Sequence, residues 1–174
     1  MKTSSELFSI LLEGKPNSLG RLIEVYNWVT SGKISVIDVY DLYQFEDVSV
    51  SMRVSNILKR LWRQDPTYIL PLIDLFIQDA KKLKNPTFRW TIAQIVTELN
   101  TLLDIKQLKE MSKIVFDNLI ISQDWILLAQ SLKSCQIIIK KHIGTPDISI
   151  INGLTKDPRN AVSSQAKKVL KLLI

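Results

Sequence analysis

The chain has 174 residues, enough for one domain of ordinary size or one short array of repeats, and at 46% apolar and 23% charged it has the composition of a folded chain. One His, one Cys and five Gly exclude a Cys/His metal centre and an intrachain disulfide on count alone. The net charge of +6 is uneven, with four Lys/Arg against seven Asp/Glu in residues 1–50 and nineteen against ten in residues 51–174, which points either to an acidic partner for the later part or to lysines kept on solvated faces for solubility.

Apolar residues recur at spacings of three and four almost throughout, the signature of helices that bury one face. Helices are predicted at 3–13, 17–31, 34–45, 48–64, 66–83, 86–100, 104–121, 123–143, 146–155 and 158–173. In the first, Glu6 and Ser9 interrupt the apolar residues, so it does not read as a secretion signal. The break at Gly14-Lys15-Pro16-Asn17 separates it from the second. Asp65-Pro66, Asn85-Pro86 and Asp157-Pro158 are helix starts: the side-chain oxygen caps exposed N–H groups, and Pro loses nothing at the first helical position. Pro71 falls inside the fifth helix and is expected to bend it. Apolar runs such as Ile137 to Ile139 are far short of the ~20 residues that cross a bilayer. A cytoplasmic protein without membrane association is expected.

Short links between helices predict antiparallel neighbours, and the pairs repeat. Ser55, Ala93, Ala129 and Ala166 stand 38, 36 and 37 residues apart on successive second helices. Three residues further on come Leu58, Val96, Leu132 and Val169; after three more come Leu61, Leu99, Cys135 and Leu172. All three columns share one helical face. The small residue permits two helices to cross at 8–10 Å, where a bulky side chain would hold them apart.

These features resemble the HEAT-repeat family, with armadillo-like solenoids close behind. The stretch from Pro66 to Leu99 carries the resemblance, with an internal Pro71, a turn at Asn85, Arg89 four residues later and a small residue at Ala93. Residues 47–61 echo it with Arg53 and Ser55. The resemblance implies an all-α fold, a right-handed superhelix of about five antiparallel pairs at 3–31, 34–64, 66–100, 104–143 and 146–173, with second helices on the concave surface. Each pair in such an array buries its apolar faces only against its neighbours.

The basic residues on second helices are the candidate binding surface: Arg53, Lys59, Arg60, Arg63, Arg89, Lys133, Lys140, Lys141, Lys167, Lys168 and Lys171. Lys59 and Lys133 share one column, Arg60 and Lys171 the next, and such a stripe would attract an acidic peptide or a phosphate backbone. The competing reading is that cations gather near helix C-termini for the helix dipole. Trp62, Trp90 and Trp125 are either packing residues or exposed rings that hold a partner. His142 reads as a helix-end residue and Cys135 as a small core residue.

No Gly-rich phosphate loop or hydrolase motif occurs. The expectation is therefore a non-enzymatic, monomeric interaction module with no cofactor and no metal, binding another protein or, alternatively, nucleic acid. A third reading draws on the helical-repeat DNA-alkylation glycosylases, with Asp65 beside Trp62 and Asp124 beside Trp125 as its nearest candidates.

Overall fold

A computed structural model describes residues 3–15 and 18–174, so the expected break at Pro16-Asn17 lies outside the described residues. Helix makes up 74% of what is described, which settles the all-α class. Two compact units divide the chain, one running to Phe88 and the other starting at Arg89.

The first unit opens with α1 (Ser4–Leu12), started by a reciprocal cap between Thr3 and Glu6. It buries Leu7, Ile10 and Leu11, the i, i+3, i+4 stripe of an amphipathic helix. Next comes α2 (Leu22–Thr30), which stops in a Schellman turn. There Lys33 N–H reaches Trp28 O at 2.9 Å, and Gly32 takes φ +73°, a value that costs glycine nothing. A second reciprocal cap, Ser35 with Asp38, starts α3 (Val36–Tyr40). The chain then tightens into a 3₁₀ turn over Asp41–Phe45, where one α-helix to residue 45 was expected. Tyr40 and Tyr43, three apart, both point inward from this turn.

Asp47 caps α4 (Val48–Gln64), whose bounds match the prediction. The expected fifth helix at 66–83 is not continuous: 3₁₀ turns occupy Pro66–Tyr68 and Leu70–Leu72, and α5 covers only Ile73–Asp79. Pro71 explains the late start. It has no N–H to donate, and its ring would meet the carbonyl four residues earlier. The first unit closes on the opening turn of α6 (Pro86–Leu99), where Asn85 Oδ1 accepts from Thr87 N–H at 2.8 Å.

Four rings form the centre of this unit. Tyr40 meets Phe76 edge-on at 4.9 Å, Tyr43 meets Phe88 at 5.0 Å, and Phe76 lies 5.3 Å from Phe88. Both phenols are used: the Tyr40 hydroxyl donates to Asp79 at 2.8 Å, and that of Tyr43 shares a 2.6 Å bond with Ser55.

Arg53 is the unexpected residue of the core. On α4 and fully buried, it donates Nε to Ser18 O at 3.1 Å, one terminal nitrogen to Lys15 O at 2.7 Å and the other to Leu11 O in the last turn of α1. Gly20, at φ +52°, passes so close that a Cβ there would sit 3.0 Å from the guanidinium carbon and 2.6 Å from Glu13 O.

The second unit contains the rest of α6, then α7 (Ile105–Ile121), α8 (Trp125–Lys140), α9 (Ile148–Leu154) and α10 (Asn160–Leu173). Asp104, Asp124 and Asp147 cap α7, α8 and α9. Asp157 was expected to start a helix at 158. Instead it binds Arg159 at 2.5 Å, and α10 begins only at Asn160. Within this unit α8 packs on α7 and on α10, and α10 packs on α9. Close approach of α6 and α8 is explicit, since Ser134 Oγ donates to Ala93 O at 2.6 Å. His142 ends α8 in a Schellman turn at φ +55°, its N–H bound to Ile139 O at 2.9 Å.

The predicted columns are buried faces. Ser55, Ala93, Ala129 and Ala166 are buried, and Leu58, Val96, Leu132 and Val169 are sealed completely. In the third column Leu61, Leu99 and Cys135 are buried, whereas Leu172 is 38% exposed, past the stretch of α10 that ends inward at Val169.

Two stability outcomes follow from this packing. Burying an unpaired carboxylate costs at least several kcal/mol, comparable with the ~5–15 kcal/mol that holds a domain. Val96→Asp should therefore unfold the second unit, and an unchanged melting curve by circular dichroism would refute the column. Arg53→Met leaves three carbonyls without their donor and should cost about 3 kcal/mol in urea titration, with faster amide exchange across residues 18–24. A loss below about 0.5 kcal/mol would show that the guanidinium is dispensable.

Candidate functional site

The face of α4 opposite its core collects polar side chains at Asn56, Lys59, Arg60, Arg63 and Gln64. Spacings of three and four put all five on one side over two turns, while Val50, Val54, Ile57, Leu58 and Leu61 fill the other. Across from them α2 contributes Tyr26, and these six residues line an open cleft of about 560 Å3. Three are cations, three are neutral, and none of the six is a carboxylate.

The neutral groups are oriented. The Tyr26 hydroxyl donates to Gln64 Oε1, which leaves the Gln64 amide as a donor. Asn56 gives its own amide N–H to Met52 O at 2.9 Å, which leaves its oxygen as an acceptor. Arg60 and Arg63 are exposed and Lys59 is half-buried, so the cleft presents positive charge to solvent without the desolvation that fully buried cations would carry.

Three of the expected surface residues are elsewhere. Arg53 is buried and committed to backbone carbonyls. Arg89 is buried in the second unit, where it donates to Asn118 Oδ1 at 2.5 Å and Asn118 passes the network on to Ser131 at 3.1 Å. Burial disfavours its charge, although Asp117 opposes that effect. Trp62 is 2% exposed, a packing residue of α4. In each case the helix's apolar neighbours carry the side chain inward, and only the buried carbonyls or amides it reaches explain why an Arg is tolerated there.

The remaining candidates keep their exposure. Lys133, Lys140, Lys141, Lys167, Lys168 and Lys171 are all exposed in the second unit, as is Trp125, while Trp90 is half-buried. The carboxylates beside the Trp residues serve as caps. Asp65 accepts from Thr67, whose backbone N–H and hydroxyl hold its carboxyl below the usual range. Asp124 accepts from Leu127 N–H at 2.7 Å. A Trp/Asp cleft of the glycosylase kind therefore loses Trp62 to the core and both acids to helix starts.

No family model, curated protein or solved structure matches the chain. What stands is an all-helical protein with ten α-helices among its described residues. Among those residues no helix is long and apolar enough to cross a membrane, and no group of three or more His, Cys, Asp or Glu could hold a metal ion.

Sequence reasoning found the three cations of the cleft but missed Tyr26, Asn56 and Gln64. The α4 residues had a signal, since Asn56 lies three residues before Lys59 and Gln64 four after Arg60, on the same side of the helix. Tyr26 had none, because it stands 33 residues from Lys59 in a helix that fits the repeat loosely.

Cys135, the one thiol, is sealed in α8, and burial pushes its pKa up to about 12. The thiolate fraction at pH 8 is then lower than for a free thiol by about three orders of magnitude. Iodoacetamide at that pH should label the native chain at least about a hundredfold more slowly than the chain unfolded in guanidinium, as read by mass spectrometry. Comparable rates would show that the site opens. Above pH ~9 the unfolded state loses this proton while the folded state keeps it, so stability should fall as pH rises toward 12.

Proposed function

We propose that the chain is a non-enzymatic, monomeric, cytoplasmic interaction module of HEAT-like helical pairs that binds another protein through the solvent face of α4. The observation that carries this reading is the convergence of Lys59, Arg60 and Arg63 with Tyr26 on one cleft. Support for the pairwise architecture comes from the second unit, where α8 and α10 pack on each other and each packs on the helix before it. A right-handed solenoid is the arrangement that continues this pattern.

Magnitudes favour a protein surface over a lone small anion. Exposed ion pairs contribute about 0.2–1 kcal/mol each, so three of them give at most about 3 kcal/mol, short of the ~4 kcal/mol of a millimolar complex. Useful affinity needs further contacts around the cleft, which a macromolecule supplies. Nucleic acid is the weaker candidate. Arg53 and Arg89 were to extend the basic stripe, and both are buried.

The test is capture of partners from native lysate on the immobilised chain, after nuclease treatment and at low and moderate salt. Capture should survive nuclease and be lost in Arg60→Glu/Arg63→Glu, with an unchanged melting curve. Nuclease-sensitive capture would transfer the reading to nucleic acid, and capture indifferent to the double variant would remove the cleft from it.

A further inference from the structure

We infer that the α2–α4 cleft takes an extended acidic segment of a partner protein, with carboxylates on alternate residues and an apolar side chain set against Tyr26 and Ile23. The inference rests on the interaction-module reading and names the chemistry of its ligand.

Spacing is the first support. A helix rises 1.5 Å per residue, so Arg63 lies about 4.5 Å from Arg60 and about 6 Å from Lys59 along α4, and Asn56 to Gln64 spans about 12 Å. Side chains on one side of an extended chain repeat every 6.5–7 Å, close enough for carboxylates two residues apart to meet successive cations.

Ligand chemistry is the second support. The guanidinium forks of Arg60 and Arg63 match carboxylates two bonds at a time, whereas Lys59 supplies a point charge. Asn56 and Gln64 stand at the two ends of the stripe, one offering an acceptor and the other a donor; a peptide backbone can use both, a phosphodiester only the donor. On α2, Ile23 precedes Tyr26 by three residues and is 42% exposed, which sets an apolar ledge beside the charged wall.

Charge balance is the third. The first unit carries eleven Lys/Arg against ten Asp/Glu, and the second carries twelve against seven. The cations of the cleft are thus a local cluster in a nearly neutral unit. A short acidic segment needs only this cluster, whereas a long polyanion would draw on a net positive charge that the first unit scarcely has.

The experiment is fluorescence anisotropy on the full chain with a labelled peptide of alternating Glu and Ser around a single Phe. The same peptide with Gln for Glu and an oligo-dT strand serve as controls. The acidic peptide should bind, weaken steeply with salt, and lose about tenfold in Arg60→Gln/Arg63→Gln. Lys140→Gln/Lys141→Gln in α8 should leave its binding unchanged. The inference is overturned if the acidic peptide does not bind, if the α8 variant loses as much as the α4 variant, or if oligo-dT or the Gln peptide binds equally well. Should the peptide fail while lysate capture still depends on Arg60 and Arg63, the ligand chemistry is wrong and the module reading stands. Loss of both removes both.

Discussion

A helix leaves its last carbonyls without partners of its own, and one of those of α1, Leu11 O, is met by a side chain. Arg53 answers that need from a different helix. One guanidinium reaches the last turn of α1 and two points in the segment leading to α2, so three carbonyls far apart in sequence from α4 are tied to it. The positive charge also meets the negative end of the α1 dipole, which lowers the cost of holding it out of water. Gly20 is part of the same arrangement because its missing side chain is the space the guanidinium occupies. The contact thus ties α4 to both sides of the link between α1 and α2.

Around that link the two units are built on the same local grammar. Single Asp caps start α4, α7, α8 and α9, each giving an oxygen to an N–H that would otherwise be unsatisfied. Of the Asp-Pro and Asn-Pro starts read from the sequence only Asn85-Pro86 opens an α-helix, while the bounds of α4, α6 and α7 agree with expectation to within a residue. The same is true of the small-residue column, whose burial needs only the helical period and the demand for close approach. The start of α2 was misplaced: the helix begins at Leu22, after Gly20 at φ +52°, and not at residue 17.

What escaped the sequence shares one cause. The 3₁₀ turn over Asp41–Phe45 serves the ring cluster, in which Tyr40 and Tyr43 must face Phe76 and Phe88, and no local propensity announces that requirement. Arg53 and Arg89 look like surface cations because Arg is mostly exposed, and only the buried carbonyls and amides they meet reverse that preference. Of the cleft, the half on α4 was visible as a stripe. The half on α2 became visible only when the fold set Tyr26 opposite it.

One helix thus carries two jobs on opposite sides. The inner side of α4 fixes the scaffold through Arg53, Leu58 and Leu61, and the outer side turns Arg60 and Arg63 to solvent. Exchanging an exposed residue away from such contacts usually shifts stability by less than about 0.5 kcal/mol. Ligand preference on this face is therefore free to drift under selection while the framework stays the same, and new specificities are reachable by single substitutions that folding would scarcely register.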